Sequence, residues 1–236
     1  MNLRKAVVFI FVIIAIDQIV KIYIKTNFAL GDFIKVFGLD WFEIRFVENP
    51  GMAWGSKLSD FLPISEPNAK IFLTTFRLLA ITAIGYWLKN ALKKKSSRLL
   101  IVAVCLIFAG ALGNVLDSLF YGFMFDSGTT FNPEAGRWQS YHGISQMNFD
   151  GYASMMQGCV VDMLRFPFTS WVWPEWIPGV GGQHFIFFDP VFNIADMAIS
   201  TGVGILLIFN KRVFPAKEEQ KEESASEVVE ELSDIE

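Results

Sequence analysis

Four long runs of apolar residues, at 6–24, 71–92, 99–121 and 191–210, divide the chain into spans and connecting segments. A helix rises 1.5 Å per residue, so each run is close to the ~20 residues needed to cross ~30 Å of hydrocarbon. The first run follows Arg4 and Lys5, as a secretory leader does. Asp17 and Lys21, however, fall where a small-residue cleavage site belongs, so the pattern predicts a retained first span. The second and third runs are joined by Lys93, Lys94, Lys95 and Arg98, and the fourth ends in Lys211 and Arg212. Basic flanks stay on the cytoplasmic side, which puts both termini inside and leaves 25–70 and 122–190 as outer segments.

The outer segments carry a different periodicity. Trp41-Phe42-Glu43-Ile44-Arg45-Phe46 alternates in the manner of a half-buried strand, which predicts a small sheet on the outer surface. Phe166-Pro167 and the cluster Trp171, Trp173 and Trp176, with Pro174 and Pro178, have the composition of an element resting at the headgroup level. Residues 126–157 are rich in Gly, Ser, Asn and Asp and are expected to form a polar surface excursion. The expected fold is thus a membrane all-α bundle of four transmembrane helices with a small extracytoplasmic sheet and loop subdomain. It forms one domain over residues 1–215, followed by an acidic, disordered cytoplasmic tail at 216–236.

Composition supports the membrane class: 53% of the 236 residues are hydrophobic, only 19% are charged, and the mean hydropathy is +0.39. The net charge of −4 does not mark an acidic body, because eight Glu and one Asp follow Ala216. Cys105 and Cys159 lack the spacing of a metal knuckle or a disulfide framework and are expected to be packing residues. His142 and His184 fall in the long outer segment and are expected to be surface or interface residues.

Polar side chains inside apolar runs cost a few kcal/mol each and need a partner or a task. Counted from the cytoplasmic flanks at 1.5 Å per residue, Asp17 lies ~18 Å in, Asp117 ~27 Å and Asp196 ~22 Å, all in the outer half of the bilayer. Asn114 and Asp117 share one face of the third span at i, i+3, and Asn193 and Asp196 do the same on the fourth. Asp17 and Lys21 stand at i, i+4, where mutual neutralisation near a helix end explains them as well as a direct role does. Asn114 is as readily interhelical glue as a site residue. Gly110 and Gly113 are expected to let helices pack closely.

Five short strings, taken in order, resemble those of one family. Asp17-Gln18-Ile19-Val20-Lys21 is similar to its D-x-x-x-K. Asn49-Pro50-Gly51-Met52-Ala53-Trp54-Gly55 is similar to N-x-G-x-A-F-G, with Trp for Phe. Gly110 to Asp117 matches G-A-x-G-N-x-x-D, Gly158 to Asp162 resembles G-x-V-V-D, and Phe192-Asn193-Ile194-Ala195-Asp196 matches F-N-x-A-D. The resemblance is to the lipoprotein signal peptidases, or signal peptidase II, aspartic peptidases of bacterial inner membranes. It implies that Asp162 and Asp196 form a catalytic dyad needing no metal or cofactor. Asn49 and Gly51 would then contact substrate. Asn114, Asp117 and Asn193 would orient the dyad, and Asp17 and Lys21 would tie the first helix to the outer structure. The implied reaction cleaves a diacylglyceryl-modified prolipoprotein on the N-terminal side of its lipidated cysteine, near the periplasmic face. The implied partners are those precursors and membrane lipids, with a monomeric enzyme and no nucleic acid.

Two departures matter. The family's first aspartate on helix three is usually followed by Arg, and here Ser118 stands there. The family also tends to run directly from that helix into G-x-V-V-D. Here Gly122 to Asp126 has the compact spacing, and Gly158 to Asp162 has the better residue match. Asp162 is the expected dyad member, because Met163 and Leu164 follow it whereas Asp126 opens into Ser127, Gly128, Thr129 and Thr130. Two rival classes are weaker. A proton- or cation-coupled transporter needs polar residues through the inner leaflet, and 99–109 and 199–209 offer almost none. A non-catalytic envelope assembly factor would use the aspartates only to bind a partner.

Overall fold

The structure is a computed structural model that describes residues 1–51 and 64–214. The string at 52–55 and the expected disorder of the acidic tail at 216–236 lie outside those residues. The first helix, α1 (Leu3–Asn27), starts at Asn2, whose side chain accepts the Lys5 N–H. Its buried residues are Ala6, Asp17, Lys21, Ile24 and Lys25, while Val7, Val8, Phe11, Val12, Ile16, Ile19 and Tyr23 are exposed. This inverts the pattern of a water-soluble helix: the charged stripe faces protein and the apolar face looks outward, as it must against lipid.

Helix α2 (Glu66–Lys93) and helix α3 (Arg98–Leu116) follow, and α3 runs on through a π turn at Asp117–Tyr121 into a last short piece, α4 (Gly122–Met124). Among the described residues three helical stretches are long and apolar enough to cross a membrane: Leu3–Asn27, Glu66–Lys93 and Arg98–Met124. A fourth apolar helix, α5 (Ile194–Ile208), has 15 residues, and a short turn, α6 (Asn210–Val213), follows Phe209. The fourth run therefore does not become helical at residue 191. Val191–Phe192 pair as a strand, and the helix begins only after Asn193, whose side chain accepts the Asp196 N–H while Asp196 Oδ2 accepts the Asn193 N–H. That reciprocal cap fixes the boundary.

Helix α3 is central, with α1, α2 and α5 all packed against it. Gly110 permits the approach of α5, since a Cβ there would collide with the Ala195 carbonyl oxygen. At the outer end a four-stranded antiparallel sheet has the order β1 (Phe33–Lys35), β2 (Glu43–Asn49), β5 (Val160–Arg165), β8 (Val191–Phe192). Val47 stands opposite Asp162 and Asn49 opposite Val160, with a register shift between Ile44 and Val47. The alternation expected over 41–46 is only partly kept. Glu43 and Glu48 are buried along with Phe46, because the bulge turns them inward and Arg165 and Lys25 neutralise them there. Ile24, Phe46, Tyr121, Phe125, Val161 and Met163 form the cluster that joins the sheet to the outer ends of α1 and α3.

Two hairpins complete the outer segments. One, β3 (Thr130–Asn132) with β4 (Arg137–Gln139), lies in the polar stretch 126–157, which folds back on the helices rather than standing off them. Tyr152 N–H reaches Phe125 O at 3.0 Å and Ala153 N–H reaches Gly122 O at 2.9 Å. The other, β6 (Thr169–Val172) with β7 (His184–Phe187), carries exposed Trp171, Val172, Phe185 and Phe187. It adjoins a stacked ledge of Trp41, Phe42, Phe166 and Phe168. His142 and His184 are exposed.

Candidate active site

The centre of the polar cluster is Lys21, whose side chain is fully buried. Its Nζ donates to Asp17 Oδ2 at 2.9 Å, Asp117 Oδ2 at 2.8 Å and Asn114 Oδ1 at 2.9 Å, so all three protons have acceptors. The i, i+4 pairing of Asp17 with Lys21 is therefore present, and it is one arm of a larger network. Each of the two carboxylates that Lys21 neutralises holds a backbone amide from a different outer element. Asp17 Oδ1 accepts the Ala195 N–H at 2.9 Å, and Asp117 Oδ2 accepts the Val161 N–H at 3.3 Å. Ala195 and Val161 are the residues immediately before Asp196 and Asp162. One buried ammonium thus ties together the backbone positions that present those two aspartates.

The second link is Asn193. Its Nδ2 donates to Asp162 Oδ1 at 2.7 Å and to Asn114 Oδ1 at 3.1 Å, and its Oδ1 accepts the Asp196 N–H at 2.9 Å. Asn114 Nδ2 in turn donates to Asp196 Oδ1 at 2.7 Å. Asn49 Nδ2 approaches Asp162 Oδ2 at 3.4 Å, and Asn49 Oδ1 accepts the Gly51 N–H at 3.0 Å. Asp162 and Asp196 therefore sit on either side of a single asparagine, one within strand β5 and one in the first turn of α5. Asp162 is buried at 4% exposure, and burial together with the neighbouring Asp196 charge pushes its pKa up to about 7. A buried carboxyl beside a second carboxylate keeps its proton to higher pH than an exposed one, since both low solvation and like charge disfavour its ionised form.

The structure brings together Asn49, Gly51, Asn114, Asp117, Asp162, Asn193, Asp196, Asp17 and Lys21. It leaves Asp126 elsewhere: Asp126 Oδ1 accepts from Gln146 N–H at 2.9 Å and Ser145 Oγ at 3.1 Å, within its own loop. The amide of Gln146 holds that carboxyl below the usual carboxylate range. The π turn beginning at Asp117 also has a visible use. It widens the helix by one residue and frees the carbonyls of Ser118 and Leu119, which accept the N–H groups of Gly158 (3.0 Å) and Met156 (3.3 Å). A Cβ on Gly158 would strike the Asp117 carbonyl oxygen, so only glycine lets β5 start that close to α3.

The family model described as signal peptidase (SPase) II matches residues 9–211. The lipoprotein signal peptidase of Porphyromonas gingivalis is 38% identical over 202 residues, covering 84% of this chain and 79% of that protein. That of Amoebophilus asiaticus is 31% identical over 214 residues, covering 89% and 79%. The chain belongs to the signal peptidase II family. A solved bacterial membrane enzyme, determined by the in meso method at 1.9 Å resolution, is similar with a TM-score of 0.52 and 21% identity, covering 87% of this peptidase and 92% of that chain. That likeness concerns the fold.

Four residues of the peptidase's site were not singled out from the sequence. Gln18 Nε2 donates to Asp117 Oδ1 at 2.8 Å and Gly113 O at 3.2 Å, and its Oε1 accepts from Tyr121 Oη at 3.2 Å. Lys70 donates to Pro50 O at 2.8 Å, and Lys25 pairs with Glu48 behind the sheet. Arg77 donates from Nη1 to Ser118 Oγ at 3.2 Å and from Nη2 to Gly51 O at 3.3 Å. Its signal was available: Arg77 is a charge inside the second apolar run, and such a residue needs a task.

Proposed function

We propose that this peptidase is an aspartic endopeptidase of the bacterial inner membrane, with Asp162 and Asp196 as its catalytic pair. Its substrate is a prolipoprotein whose cysteine carries a diacylglyceryl group, and it cleaves on the N-terminal side of that cysteine. The observation that carries the assignment is the Asn193 bridge, which contacts the Asp162 carboxylate and caps the helix turn bearing Asp196. A pair held in that way binds one water and one proton. The ionised member takes a proton from water as the water oxygen bonds to the scissile carbonyl carbon, the protonated member transfers its proton to the carbonyl oxygen, and the gem-diol formed collapses with cleavage of the C–N bond as a proton passes to the leaving amine.

The remaining architecture fits a substrate that arrives in the membrane. In this reading residues 1–215 form one domain of four spans, α5 and α6 being the fourth, with both termini cytoplasmic and the pair near the periplasmic face. The exposed rings of Trp41, Phe168, Trp171, Trp176 and Phe187 lie on outer elements, where they rest at the headgroups and grip lipid and peptide. Nothing in the reaction requires a second subunit. The test is a gel-shift assay on a diacylglyceryl-modified precursor with the purified full chain. Asp162→Asn and Asp196→Asn each abolish cleavage while the protein still elutes as wild type from a sizing column. Full activity in either variant overturns the assignment.

A further inference from the structure

The charges of the site do not balance without a residue that the family strings leave out. At ordinary ionisation, Lys21 faces two carboxylates, Asp17 and Asp117, and so leaves the scaffold with one negative charge before the pair is counted. A singly protonated Asp162–Asp196 pair adds another. Uncompensated negative charge in a poorly solvated site is expensive, and it opposes ionisation of the group that must accept a proton from water. Arg77 offers a second positive charge. Its guanidinium lies within electrostatic reach of Asp196, Asp117 and Asp162. Among the described residues it forms no ion pair, and its protein acceptors are Ser118 Oγ and Gly51 O, both uncharged. An arginine has five N–H donors, and two of them have these acceptors among the described residues.

Its anchors are informative. Ser118 follows Asp117 directly, at the position where the resemblance leads one to expect arginine, and Arg77 reaches that same side chain from α2. Gly51 adjoins Asn49, whose amide approaches Asp162. Lys70, Thr74 and Arg77 stand at i, i+4, i+7, and this stripe of α2 binds Pro50 O, Met156 O and Gly51 O in turn. The helix therefore has a polar edge aimed at the loops around the site, with Arg77 at the end nearest the aspartates.

We propose that Arg77 is a positioning residue of the reaction: the second cation of the site, supplied from α2 in place of an arginine at 118, which holds the aspartate pair singly ionised and clamps the Gly51 carbonyl. This rests on the assignment of Asp162 and Asp196 as the pair.

The experiment follows initial rates of precursor cleavage by the full chain across substrate concentration and pH, for Arg77→Gln, Arg77→Lys and the double variant Arg77→Gln/Ser118→Arg. Arg77→Gln lowers kcat by about 10²-fold, the scale for removing one preorganised charged donor, with KM little changed. It also moves the alkaline limb of the rate upward, because Asp162 and Asp196 keep their shared proton longer when only Lys21 opposes Asp17, Asp117 and the pair. Arg77→Lys retains most activity, and Ser118→Arg restores the double variant by about tenfold or more. Wild-type kcat in Arg77→Gln overturns the proposal. So does an equal loss in all three variants with the alkaline limb unmoved, which marks a purely structural arginine. Asp162→Asn and Asp196→Asn run alongside: if they still cleave, the assignment of the pair fails, and if they are inactive while Arg77→Gln is not, only the role of Arg77 fails.

Discussion

Replacing Lys21 by methionine, which has nearly the same length and no charge, tests the scaffold at its centre. The substitution leaves Asp17 and Asp117 buried at 1% and 0% exposure with no cation between them. Removing one partner of a buried ion pair costs about 3–5 kcal/mol, and here two carboxylates lose the same partner, so the upper part of that range is expected. Against a total stability of about 5–15 kcal/mol this is a large share. Denaturant unfolding of the purified protein in detergent measures it. The decisive comparison is the triple variant Asp17→Asn/Lys21→Met/Asp117→Asn, in which the uncompensated charges are gone while the amides still bond Ala195 and Val161. It is expected to recover at least about 2 kcal/mol over Lys21→Met alone. Cleavage falls in both, because without Lys21 no cation ties together the two side chains that accept the Ala195 and Val161 amides. A Lys21→Met protein within about 1 kcal/mol of wild type, or a triple variant no more stable than the single, refutes the reasoning.

Three further outcomes follow from the same geometry. The cleavage rate falls as pH rises through about 7, since Asp162 carries its proton below that value and loses it above; a rate still rising at pH 9 contradicts a pair that must hold one proton. Asp126→Asn leaves cleavage unchanged, since among the described residues that carboxylate accepts its hydrogen bonds from Ser145 and Gln146 of its own loop; a tenfold fall, about 1.4 kcal/mol of barrier, would move it into the reaction. Deleting residues 168–182, which removes β6 and its tryptophans, lowers turnover of lipidated precursor, and undiminished turnover shows that the aromatic hairpin grips neither lipid nor peptide.

Most of the polar cluster was legible because the membrane makes polar residues conspicuous. Asp17, Lys21, Asn114, Asp117, Asn193 and Asp196 stand out of apolar runs, and counting along each run puts the three aspartates in the same half of the bilayer. Of the four expected spans, three are helices long and apolar enough to cross a membrane among the described residues. What could not be read were partners set by tertiary approach. Periodicity shows Asp117 on a helix face. It does not show that a π turn will free the carbonyls that receive β5, or that Val161 will donate to its carboxylate. Likewise the apolar run from 191 hides a strand residue pair, since Val191 and Phe192 suit a helix and a strand equally, and only the Asn193–Asp196 cap decides the boundary. The burial of Glu43 and Glu48 depends on a bulge and on distant cations, Arg165 and Lys25, that no local pattern reveals.

The same approach explains how the chain accommodates 126–157 between α4 and Asp162. The excursion leaves α3 at the end of its π turn and returns to that turn. Ala153 bonds Gly122 O, Met156 bonds Leu119 O and Gly158 bonds Ser118 O, so its two ends meet within a few residues of one helix. Closing a loop costs entropy that grows only as the logarithm of its length, about 0.6 kcal/mol per doubling, so extra residues between fixed ends cost little. What sets the place of Asp162 is instead the reach from Asp117 to the Val161 amide and the absence of a side chain at Gly158. The separation of the two carboxyls is therefore a property of Lys21 and its two aspartates. Inserted length in the outer segment leaves it untouched, which is why the better-matched string, and not the more compactly spaced one, supplies the carboxylate beside Asn193.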